Sequence, residues 1–251
     1  MNIGPIATLP SPSLSTAELR QYNESNCRIT ILVDWGSQII RWTWGGETFV
    51  ISAQSSLWFT SPRPEQLLPQ IIRHTAQMQT GWRKYLKPRV LLAVPSYGVD
   101  QDSLRLALRT LAKQYCMVES VRAASYGNGD ISGPIPPFCL LEVEPDCSTF
   151  AIPCIDGIIF SDSILHHGRA LSDELELSLL SLIVQRGLVK IKTITNDKPI
   201  ILLSGKLVST PGLADELSRR TGVPCRIAET PQLSVLRGLS KLFSKGDIFW
   251  L

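Results

Sequence analysis

Leu32–Trp44 reads LVDWGSQIIRWTW: an apolar run, an acidic turn built from Asp34, Gly36 and Ser37, then a second apolar run. The first run is short, and the turn residues stop it as they stop a strand. Trp42 and Trp44 alternate with Arg41 and Thr43, so both rings share one sheet face, which is best read as the core. Upstream, ITILVDWG extends the first strand, and downstream ETFVISA follows a Gly45-Gly46 turn, giving three successive short strands.

Further out, Pro64–Tyr85 carries Leu67, Leu68, Ile71, Ile72 and Met78 at the spacing of one helix face. RVLLAVPS, Arg89–Ser96, is a nearly continuous apolar strand, the pattern of a strand covered on both faces. Asp100–Tyr115 returns as a helix with Leu104, Leu108, Leu111 and Tyr115 inward. After MVESV and the glycine-rich SYGNG the course repeats. CLLEVEPDCSTFAIPCIDGIIFSDSIL again offers strand, acidic loop, strand, Asp-Gly turn and strand. A helix over Ser172–Arg186, the strand PIILLSG, a helix over Pro211–Arg220, the strand CRIAE and a helix over Leu233–Phe243 complete it. Periodicity alone allows two related α/β halves or two unrelated modules of ordinary patterning.

Composition narrows the class. The 251 residues hold 44% hydrophobic and 19% charged side chains, enough apolar material for a substantial core. A formal charge of +3, from 25 basic and 22 acidic residues, lacks the concentrated basic stripe of a nucleic-acid binder. The start MNIGPIATLPSPS has neither a basic n-region nor an apolar h-region, and the longest apolar stretch, Leu177–Val184, is too short to span a bilayer. The expected location is the cytoplasm, peripheral to the inner membrane only through partners. Six cysteines without a Cys-x-x-Cys pair suit reduced, buried thiols, and the adjacent His166 and His167 carry little weight as metal ligands because strand neighbours point to opposite faces.

Four segments resemble the actin and MreB superfamily of ATPases, in order and in content. LVDWGS resembles its first phosphate loop, and EVEPDCSTFAI, Glu142–Ile152, stands where its second phosphate loop belongs. MVESVRAASYGNG resembles the connecting segment with the catalytic acid, and LLSGKLVSTPGLADEL, Leu202–Leu217, resembles the adenosine loop. RVLLAVPSYG and CRIAETPQLSVLRGLSKLF also look like MreB text. The resemblance implies an actin-like (ribonuclease H-like) α/β fold of duplicated βββαβα halves, and favours the reading as two related halves. The expected division is a flexible arm over 1–27, a first half over 28–138, a second over 139–243 and an aromatic tail over 244–251. Only a short segment joins Phe59 to the helix near Pro64, and the span from the second acidic loop at Glu142–Ile152 to the adenosine loop at Leu202–Leu217 is too short for the family's insert, so the outer small subdomains are expected to be largely missing. Polymerisation through those lobes is therefore not carried over.

The same resemblance places a degenerate nucleotide cleft at Asp34, Gly36, Ser37, Glu142, Glu144, Asp146, Gly205 and Lys206. A phosphate cradle needs inward backbone N–H groups and no intruding side chain. Asp34 stands where the family arranges magnesium-bound water and Ser37 where it donates to phosphate. In the second loop, however, Glu144, Pro145 and Asp146 replace the family glycines. Proline brings no N–H, and each like-charge contact at about 4 Å costs on the order of 1–4 kcal/mol. Lost donors to a charged group cost roughly 1.5–3 kcal/mol each, so the sum reaches the roughly 8 kcal/mol of a micromolar ligand. The family's water-positioning glutamate aligns with Ser120, and the neighbouring Glu119, if on a strand, faces the other way. Lys206 and Leu207 crowd the adenosine loop.

These readings point to a pseudo-ATPase with no catalytic residue, no metal site and no cofactor, acting as an interaction or assembly platform. By analogy of fold it is similar to the actin-like cytoplasmic component of bacterial pilus and secretion machines, or to a cell-shape element. The alternative is a minimal ATPase that keeps ATP with magnesium. A metabolite kinase fits less well, since no clear catalytic Asp beyond Asp34 stands out. Expected partners are other proteins, with self-association included. Nucleic acid and a direct membrane anchor are not expected. Ile248, Phe249, Trp250 and Leu251 are the partner-binding candidates, with folding back onto the chain equally open.

Overall fold

The computed structural model describes residues 7–9, 30–36, 39–44, 47–52, 64–79, 81–96, 99–129, 131, 138–145, 147–166, 173–195, 199–246 and 248–251. The chain divides into two compact units, Met1–Ser120 with Leu239–Leu251, and Val121–Gly238. The sequence places the joint at residue 138, whereas the contacts divide the chain at the start of a helix near Ser120.

The first unit is built on β1 (Ala7–Leu9), β2 (Thr30–Trp35), β3 (Ile39–Trp44), β4 (Glu47–Ser52), β5 (Arg89–Val94) and β6 (Gln114–Glu119), in the sheet order β1-β4-β3-β2-β5-β6. Helices α1 (Pro64–Gln77) and α2 (Gln101–Leu111) pack against each other. Trp35, Trp42, Leu68, Leu92, Leu104 and Leu108 are fully buried in one cluster, and Trp44 packs on it half-buried, as the alternation of LVDWGSQIIRWTW requires. β1 pairs antiparallel with β4, Thr8 facing Phe49, so this part of the expected loose arm is an edge strand. The rest of the arm over 1–27, the Gly45-Gly46 turn and His167 lie outside the described residues.

The second unit contains α3 (Ser120–Asn128), which begins at the boundary, then β7 (Phe138–Val143), β8 (Cys147–Cys154), β9 (Gly157–Leu165), α4 (Glu174–Ile191), β10 (Ile200–Ser204), α5 (Leu213–Thr221), β11 (Cys225–Ile227) and α6 (Ser234–Lys245), which crosses back. Its sheet order is β11-β10-β7-β8-β9. Without β1 the two sheets have the same topology. In each, two antiparallel strands run outward from a first strand, and two parallel strands continue from that strand's other side. α4 packs on β8, β9 and α5, with Leu180, Ile183 and Val184 buried against Phe150, Leu141 and Leu203.

Three element boundaries differ from the sequence reading. The helix expected over Pro64–Tyr85 ends at Gln77, and after Gly81 in the left-handed region (φ 68°) the chain makes a separate 3-10 turn, Gly81–Tyr85. The helix expected to reach Tyr115 stops at Leu111, because Ala112 is extended (ψ 156°) and Tyr115 belongs to β6. α4 runs beyond Arg186 to Ile191 because Gly187 faces the Phe150 ring, where a Cβ would sit 1.9 Å from a ring carbon. Only residues 53–63 separate β4 from α1, and only 192–199 separate α4 from β10, which leaves no room for an outer subdomain in either half.

Candidate functional site

In the first unit, Asp34 ends the apolar part of β2 and lies opposite Arg41 of β3 in the antiparallel ladder. Side chains directly opposed across such a pair lie within contact range, and Arg41 Nη1 donates to Asp34 Oδ2 at 2.8 Å. Both side chains are buried, at 7% and 5% exposure. Burial pushes the Asp34 carboxyl above its usual range, against the opposing pull of the Arg41 charge and hydrogen bond. Gly36 follows at the strand end, half-buried, and Ser37 lies outside the described residues.

In the second unit, Glu142 is buried on β7, facing Thr149 on one side and Ser204 on the other. The turn after it closes when Glu144 N–H donates to the Cys147 carbonyl at 3.0 Å. Glu144 Oε1 in turn accepts the backbone N–H of Lys206 at 3.1 Å. Just before Lys206, Gly205 sits in the left-handed region (φ 100°) and gives its N–H to the Pro231 carbonyl. A Cβ at Gly205 would stand 2.5 Å from the Val143 carbonyl oxygen, so glycine there lets the two loops close on each other. Thus Glu142, Glu144, Gly205 and Lys206 gather in one place, with the carboxylate of Glu144 on the N–H that opens the 3-10 turn Leu207–Ser209. Asp146 lies outside the described residues. Glu119 ends β6 exposed, while Ser120 is buried at the start of α3. No group of three or more His, Cys, Asp or Glu able to hold a metal ion occurs among the described residues.

The tail turns back on its own unit. Tyr115 and Leu251 exchange backbone hydrogen bonds, at 3.2 and 2.9 Å, so the last residue pairs with the edge strand β6. The Trp250 ring packs edge-on against Phe243 and lies under the Arg89 guanidinium. Ile248 is half-buried, whereas Phe249 and Leu251 stay exposed, at 90% and 73%.

Sequence reasoning passed over one buried polar chain. His166 Nε2 meets Ser148 Oγ at 2.7 Å and His166 Nδ1 meets Glu176 Oε2 at 2.8 Å, all three residues buried. The signal was present: a polar residue inside an apolar strand, and a glutamate among the apolar positions of a helix.

Two sheets of one topology, each with an acidic turn after its first strand, define the actin-like class of fold, here without outer subdomains. Solved structures agree. MreB5 of Spiroplasma citri bound to AMPPNP superposes with a TM-score of 0.63 at 14% identity, over 88% of this chain and 97% of its own. The MamK double helical filament gives 0.62 at 9% identity, over 86% and 98%. The ethanolamine utilization protein EutJ from Carboxydothermus hydrogenoformans gives 0.52 at 14%, over 90% and 98%. No protein-family profile and no curated protein sequence matches the chain. The chain has the actin-like fold. No described helix is long and apolar enough to cross a membrane.

Proposed function

We propose that this chain is a catalytically inactive actin-fold protein that serves as a platform for other proteins, in a cytoskeletal, cell-shape or envelope machine. One observation carries the reading: Asp34 of the first acidic turn and Glu144 of the second are already engaged within the chain. Asp34 is committed to Arg41, and Glu144 sits on the Lys206 N–H that opens the adenosine-loop turn. At the second turn a phosphate would meet the Glu144 carboxylate in place of a donor, and Pro145 adds no N–H. The residues present therefore do not suit magnesium ATP, and no catalytic step is assigned to it. Phosphate release from ATP with magnesium, followed in the purified full chain, is expected to stay at the buffer rate. Turnover that scales with protein concentration and is lost in the Lys206→Glu variant would return the chain to the ATPases.

A further inference from the structure

α4 carries apolar residues on its solvent side as well as on its core side. Leu175, Leu182 and Val189 are exposed at 48%, 49% and 67%, while Leu180, Ile183, Val184 and Ile191 of the same helix are buried. The three exposed residues are each seven apart, and since a straight helix drifts only about 20° per heptad, they form one line about 21 Å long. An apolar seam at heptad spacing on an otherwise solvated face is the pattern of a helix that packs on another helix.

The charges on the helix indicate which helix. Asp173 and Glu174 flank the N-terminal end of the seam, and Arg186 and Lys190 its C-terminal end, all four exposed. Glu174 contacts Arg220 and Arg186 contacts Asp162, yet Glu174 and Arg186 keep 78% and 62% of their side-chain surface open. A parallel pairing of two such helices would set Glu174 beside Glu174 and Lys190 beside Lys190. An antiparallel pairing centred on Leu182 sets Leu182 on Leu182, Leu175 on Val189 and Glu174 on Lys190, at both ends alike, and opposes the two helix dipoles favourably. The seam is thus complementary to itself under a two-fold axis, the property an isologous interface needs.

We infer that α4 is a self-association surface, on which a second copy of this chain docks its own α4 antiparallel through Leu175, Leu182 and Val189. A helix pair alone buries less than a permanent interface, so the dimer is weak and forms by mass action. Sedimentation velocity on the full chain, across about a hundredfold concentration range, is expected to show a shift from 27.8 kDa to twice that mass. Leu182→Lys, which sets two lysines on the axis, abolishes the shift without moving the thermal melt, because Leu182 lies outside the core. Lys190→Glu weakens association by about tenfold, the scale of one adverse charge contact at each end, and Glu174→Lys added to it restores the affinity. Mixing Leu175→Cys with Val189→Cys protein under oxidation yields a cross-linked dimer beyond the wild-type background. A monomer at every concentration overturns the inference, as does a dimer that survives Leu182→Lys, and neither result bears on nucleotide binding.

Discussion

Asp34 and Arg41 face each other across the β2–β3 ladder with almost no solvent on either side chain. Removing one member of such a pair costs more than removing both, since the partner left behind loses a buried hydrogen bond and packing that a protonated Asp34 would keep. Asp34→Ala is accordingly expected to lower the unfolding free energy by about 3–5 kcal/mol in denaturant titration, and Asp34→Leu with Arg41→Met to recover most of it. Burial also raises the Asp34 pKa. The ionised form therefore weighs against the fold above the folded pKa, and that cost fades as pH falls through it. Relative to an Asp34→Asn variant, the wild type should gain stability on acidification. In a second buried set, Ser148→Ala takes away the hydroxyl that meets His166 Nε2 and is expected to cost about 1–3 kcal/mol.

Among the elements, α3 and α6 approach each other through glycine. A Cβ at Gly238 would stand 1.6 Å from the Ala123 carbonyl oxygen, and one at Gly127 would stand 1.9 Å from that of Ser234. Backbone cannot yield as a flexible side chain does, so Gly238→Ala should destabilise by about 1–3 kcal/mol or more, read from the denaturant midpoint. At β6, deleting the residues after Gly246 removes the two hydrogen bonds to Tyr115 and the Trp250 contact. Hydrogen exchange is expected to show lost protection at the Tyr115 amide; unchanged protection would mean that the tail does not cover that edge. Such features separate what sequence conveys from what it withholds. Strands β2 to β4 and β7 to β9 were legible because alternation and turn residues agree. The limits of α2 and α4 were not, since LAKQYC suits helix or strand equally and Gly187 reads as a stop until its contact with Phe150 is known.

The whole molecule combines a fold that was readable with a site that was only half readable. Repetition of strand, acidic loop and strand, with motif order, conveyed the doubled architecture. The partners of Asp34 and Glu144 stayed hidden because hairpin register and the meeting of Glu144 with residue 206 are tertiary facts. Those partners now bear the functional weight. Isothermal titration of the full chain with ATP in excess magnesium tests them most directly. The account predicts no saturable heat at protein concentrations well above micromolar, whereas a saturating isotherm of one nucleotide per chain would contradict it.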